Sequence, residues 1–136
     1  AWESEPHVDV AWYHRAKTGS LFATASMCGA VAAGADATPW RALGDRIGEA
    51  FQVADDLRDA VGDAAALGKP TGRDAALGRP SAVAELGVAG AIERLDRLVA
   101  EAIDSIPDCP GAAELRLQIR AESTHFLPKG LVRVAA

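Results

Sequence analysis

With 136 residues, 49% of them apolar and only 5% aromatic, the chain can build one modest domain around a core, and its alanine-rich apolar content favours helices over a sheet. A net charge of −5 and the lack of any Lys/Arg cluster argue against nucleic acid as a partner. There is no signal peptide and no apolar run long enough to span a bilayer, so a cytoplasmic soluble protein without a transmembrane segment is expected.

In chain order, the elements read as helices, and the expected fold class is all-α. Asp9 stands where it could cap a short helix over VAWYHRAK. A second helix over about 18–33 should stop at Gly34. Thr38 is expected to cap a third, with Pro39 at its first position, where a missing N–H is harmless. That helix should run to about Val61. Residues 62–79 contain Gly62, Gly68, Pro70, Gly72 and Gly78 and read as a long charged loop, a kind that often carries function. A short helix over about 81–86 follows. A longer one over about 88–106 places Ile92, Leu95, Val99, Ala102, Ile103 and Ile106 at helical spacing. Pro107 and Pro110 break it, and a last helix over about 111–126 ends before Pro128. Cys28 and Cys109 lack metal-ligand spacing and are expected to act as small apolar residues in a reducing compartment.

The third helix carries the chemistry. At about 100° per residue, Ile47, Ala50, Ala54, Leu57 and Val61 fall on one side. Asp45, Glu49, Gln52, Asp56, Asp59 and Asp63 fall on the other, with Asp55 flanking. Carboxylates four residues apart have Cβ atoms about 5–6 Å apart. That spacing suits a hard divalent cation, and Mg²⁺ usually takes one or two carboxylates together with water and phosphate. The plain alternative is a solvated acidic face. Two features point instead to a diphosphate site: Gln52 lies one turn before the acids, and Lys69, Arg73 and Arg79 follow them. Acids would hold Mg²⁺, and bases would hold phosphate oxygens.

FQVADDLRD, preceded by HRAKTGSLF and followed by GKPTGRD, resembles the C-terminal half of a trans-isoprenyl diphosphate synthase of the polyprenyl synthetase family. The resemblance is closest to short-chain geranylgeranyl and farnesyl diphosphate synthases of carotenoid and bacteriochlorophyll pathways in purple bacteria. The opening AWESE also resembles the stretch that follows the first half in those enzymes. The likeness covers most of the chain and is clearest over residues 1–81.

This resemblance implies a helical bundle forming part of the isoprenoid synthase fold, with residues 1–136 as its C-terminal portion. It implies that Lys17 binds the allylic diphosphate where a helix opens, and that Thr18 helps stabilise the carbocation. Gln52 would turn its side-chain dipole toward developing positive charge. Asp55, Asp56 and Asp59 match the family's second aspartate-rich motif, which binds Mg²⁺. Lys69 matches a lysine that contacts diphosphate. Arg79 stands where many members have a second lysine, and its guanidinium can bind phosphate in a bidentate way.

The implied reaction ionises the allylic C–O bond. The double bond of isopentenyl diphosphate then attacks the cation, and a proton is lost, giving a short-chain product, C20 geranylgeranyl diphosphate. Such chemistry needs no Ser-His-Asp triad, and His7, His14 and His125 read as surface or packing residues. Family members are commonly homodimers. They carry two aspartate-rich motifs on facing helices, and these 136 residues hold one, so the chain is expected to be half of a catalytic bundle. Two other readings are a non-catalytic interaction subunit of a complete synthase and a class I terpene cyclase. The KTGSLF, FQVADDLRD and GKP combination favours elongation over cyclisation.

Overall fold

The computed structural model describes residues 12–13, 15–65 and 81–127, without the side chains of Arg15 and residues 63–65. Asp9, His7, His14, Lys69, Arg73 and Arg79 lie outside the described residues. Within them, every regular element is helical and no strand occurs. None of these helices is long and apolar enough to cross a membrane.

A π-helical turn, Arg15–Gly19, leads into α1, Ser20–Ala32. α1 stops where expected. The Ala35 N–H donates to the Ala30 carbonyl, and the Gly34 N–H to that of Val31, both at 2.9 Å. Gly34 takes φ of 74°, a left-handed value at which a Cβ is strained. The next start differs from expectation. Thr38 does not cap; it opens a 3₁₀ turn, Thr38–Trp40, and its N–H donates to Asp36 Oδ1 at 3.0 Å. The Asp36 carboxylate reaches two residues ahead to take up the Thr38 N–H, and no side chain caps the turn.

α2, Arg41–Ala65, runs past the expected end at Val61. Gly62 is exposed, and one exposed helical glycine costs about 1 kcal/mol, too little to stop a packed helix. α3, Ala82–Asp104, is kinked at Gly87, whose φ of 70° and ψ of 173° separate a short first turn from the long remainder. α4 is Ala112–Ser123.

α2 is central, with α1 and the π turn on one flank and α3 on another. The α2–α3 seam is apolar: Ala50, Val53, Ala54 and Leu57 meet Ala91, Leu95, Leu98, Val99 and Ile103. Burial of a side chain such as Leu57 or Leu95 contributes about 1.5–3 kcal/mol. A second cluster joins Leu43, Ala102, Ile106 and Ala112. The α1 flank works by absence of bulk. A Cβ on Gly44 would lie 2.4 Å from the Ala23 Cα, and one on Gly48 would lie 2.8 Å from the Gly19 Cα. Cys28 and Cys109 are both free and exposed, not packed as small apolar residues. The reason for Cys28 is that α1 buries only Ala23 and Ala30.

Gly44→Ala and Gly62→Ala should therefore differ in sign. The first forces a backbone contact and should destabilise by about 1–3 kcal/mol. The second meets nothing within 4 Å and should stabilise by about 0.5–1 kcal/mol. Midpoints of urea unfolding measure both.

Candidate functional site

The polar side of α2 divides into two stripes. At about 100° per residue, Gly48, Gln52, Asp55 and Asp59 fall within about 60° of one another. Glu49 and Asp56 lie about 20° apart on a neighbouring stripe, next to the core positions that meet α3. The single acidic face expected from the sequence is thus two faces with different surroundings.

The stripe toward α3 is tied down. Glu49 is 3% exposed and forms an ion pair with Arg94 of α3. Its Oε2 lies 3.8 Å from Arg46 Nη1, and Arg46 Nε lies 2.9 Å from Glu101 Oε2. Arg94 Nε is buried and has no hydrogen-bond partner among the described residues. Asp56 Oδ2 accepts the backbone N–H of Ala82 at 2.7 Å, joining residues 26 apart. Glu49, placed by periodicity among solvated acids, is buried because its partner arrives from a helix 45 residues on. Nothing local signals that pairing.

The stripe headed by Gly48 is different. The Gln52 side chain is 4% exposed, and its amide makes no hydrogen bond among the described residues. Asp55 is half-exposed, and Arg58 Nη2 donates to its Oδ1 at 3.1 Å. The Arg58 guanidinium lies 5.5 Å from the centroid of the Phe51 ring, a cation–π contact. Asp59 is exposed. At the head of this stripe the π turn packs on α2, with Gly19 against Gly48. Lys17 and Thr18 therefore sit beside the stripe that carries Gln52, Asp55 and Asp59. Lys17 is exposed, its Nζ 5.7 Å from the centre of the Tyr13 ring, and Thr18 is half-buried. π turns interrupt helices frequently at functional sites, and this one coincides with the Lys-Thr pair. His125 is a surface residue, with Nδ1 3.5 Å from Glu122 Oε2.

The donors on the exposed stripe suit Mg²⁺ in one specific way. Among the described residues no group of three or more His, Cys, Asp or Glu side chains stands together as a metal cage. Asp55 and Asp59, one turn apart, supply the one or two carboxylates that Mg²⁺ takes when water and phosphate fill the other positions. Lys69 and Arg79, the expected phosphate contacts, lie outside the described residues.

Residues 2–114 match the family described as Polyprenyl synthetase. The chain is 55% identical over 127 residues to a geranylgeranyl diphosphate synthase of Cereibacter sphaeroides, covering 93% of this chain and 44% of the relative. It is 55% identical over 120 residues to a geranylgeranyl diphosphate synthase of Rhodobacter capsulatus, covering 88% and 42%. To the farnesyl diphosphate synthase of Escherichia coli it is 41% identical over 99 residues, covering 68% and 32%. The chain spans less than half the length of these curated relatives. No solved structure matches it significantly.

The Glu49–Arg94 pair generates a stability prediction. Arg94→Met leaves the buried Glu49 carboxylate only its longer contact with Arg46 and should destabilise the fold by about 3 kcal/mol. The double variant Glu49→Leu/Arg94→Met should recover most of that loss. Urea unfolding of the single and double variants measures the difference.

Proposed function

Because this chain belongs to the polyprenyl synthetase family, we propose that it is the C-terminal portion of a prenyltransferase that condenses isopentenyl diphosphate with an allylic diphosphate. The product we propose is short, of the geranylgeranyl class, in keeping with the names of the 55% identical relatives. The observation that carries the reading is one stripe of α2. It aligns Gln52 with the half-exposed Asp55 and the exposed Asp59, and it begins where the Lys-Thr π turn docks.

Each residue has a role that its surroundings support. Lys17 is exposed at the π turn, where its ammonium is available as a point charge for a diphosphate oxygen. The hydroxyl of Thr18 and the loosened backbone around it supply dipoles to a nearby cation. The Gln52 side-chain carbonyl oxygen would turn toward positive charge on the allylic carbons. Asp55 and Asp59 would hold Mg²⁺. When bound, that ion neutralises charge on the leaving diphosphate. Lys69 and Arg79 are proposed to hold the same diphosphate. No nucleophile is required, so the residues act by orienting the diphosphate and sheltering the cation from water.

We also take the chain to cover only part of the catalytic bundle. α1 carries no charged residue, yet Leu21 is 70% and Val31 63% exposed. A helix apolar on all sides is ordinarily buried, and we take that face to be where the rest of a full-length relative packs. A homodimer in the cytoplasm is the proposed setting.

Two outcomes are expected. The 136-residue chain alone should show no condensation of isopentenyl diphosphate with an allylic diphosphate; turnover by the purified chain would overturn the partial-bundle reading. In a full-length enzyme carrying this chain, Asp55→Ala should lower kcat about a hundredfold, about 2.7 kcal/mol of transition-state stabilisation. Asp104→Ala, an exposed acid on α3, should leave kcat within about twofold, since a solvated carboxylate contributes within about 0.5 kcal/mol. Steady-state assays at saturating and limiting Mg²⁺ decide it, and equal kcat in the two variants would reduce the acidic run to a solvated face.

A further inference from the structure

We infer that Asp56 is a positioning residue that caps α3 across the bundle, so that the middle acid of D-D-x-x-D holds protein backbone while Asp55 and Asp59 face outward. The distinction from its neighbours rests on the diphosphate reading above; the cap itself rests on geometry.

Four observations converge. The Ala82 N–H donates to Asp56 Oδ2 at 2.7 Å. Ala82 is 1% exposed and belongs to the same apolar cluster as Ala54 and Leu57, so water does not replace a lost acceptor for its buried N–H. Ser81 has the extended backbone of an N-cap, with φ of −138° and ψ of 134°, and a side chain of the preferred type, yet it makes no cap bond. The cap is supplied from 26 residues earlier. Finally, Asp56 shares its stripe with Glu49, which is also committed to α3 through Arg94.

The consequence is a division of labour within three near-adjacent acids. A carboxylate at a helix N-terminus satisfies an orphan backbone donor. Asp56 thereby holds α2 in register with the start of α3. That contact sets the rotation of α2 and with it the direction in which Asp55 and Asp59 point. A cap needs an acceptor oxygen and not a full charge, and asparagine caps as well as aspartate. A metal ligand of this type needs the anionic carboxylate.

Asparagine and alanine variants separate the two roles. In the 136-residue chain, exchange of the Ala82 amide is followed by NMR, and Mg²⁺ is titrated in the presence of inorganic pyrophosphate. Asp56→Ala should speed exchange at Ala82 about tenfold, a loss of about 1.4 kcal/mol. Asp56→Asn should restore protection to within about twofold of the unsubstituted chain, and should leave Mg²⁺ affinity within about twofold. Asp55→Asn should leave Ala82 protected while weakening Mg²⁺ about tenfold. Unchanged exchange in Asp56→Ala would overturn the inference, as would loss of protection or of the fold in Asp56→Asn. So would an Asp56→Asn variant that loses Mg²⁺ as strongly as Asp55→Asn. An Asp55→Asn variant with unchanged Mg²⁺ affinity would count against the diphosphate reading alone, because the exchange measurements decide the cap separately.

Discussion

The close approach of the π turn and α1 to α2 is the constraint from which the rest of the site follows. Gly44 and Gly48 are spaced one turn apart on α2, and they meet Ala23 and Gly19, also one turn apart. With no side chain between the two backbones, the next residues along come into contact as well. Phe22 and Phe51 stand with ring centroids 5.6 Å apart. Arg58 lies over Phe51 and donates to Asp55. A chain of short contacts thus runs from the π turn to the first acid, and each link fixes the direction of the next.

The other flank of α2 is held by different physics. There the seam is broad and apolar, and it supplies most of the stability through area removed from water. Two polar ties cross it at defined points, Glu49 to Arg94 and Asp56 to the Ala82 backbone. Apolar contact is non-directional, so it tolerates small slides and rotations. A buried ion pair and a backbone hydrogen bond do not, because misalignment leaves charge or a donor stranded. Their contribution is to register more than to net stability. Register matters here because a rotation of α2 by one residue, about 100°, would exchange the exposed acids for buried ones.

A single 25-residue helix therefore serves three neighbours from three sides. Small residues admit α1, aliphatic residues pack on α3, and the stripe headed by Gly48 and continued by Gln52, Asp55 and Asp59 is the one proposed to face a ligand. The 3.6-residue period is what permits this. It returns to one stripe at steps of three and four residues, so the functional residues can be threaded between structural ones without a break in the helix.

Much of what depends on near neighbours could be read from the chain alone. The all-helical class, the stop at Gly34, the break at Gly87 and the buried positions Leu95, Val99, Ala102, Ile103 and Ile106 all follow from period, caps and glycine conformation. Family likeness gave the expectation that Lys17, Gln52 and the acids act together; the helix period groups Gln52, Asp55 and Asp59 and sets Asp56 apart. Tertiary structure decided the rest. It buried Glu49 and Gln52, which periodicity had placed on the polar side of the helix. It placed Thr38 inside the 3₁₀ turn, with its N–H donating to Asp36, and it gave the cap of α3 to Asp56 and not to Ser81. The Asp36 bond is local, and it depends on the turn geometry around Ala37. For Glu49 and Asp56 the reason is separation: their partners lie 45 and 26 residues away, and a pattern of period 3.6 contains no information about which distant helix will arrive, or at what height.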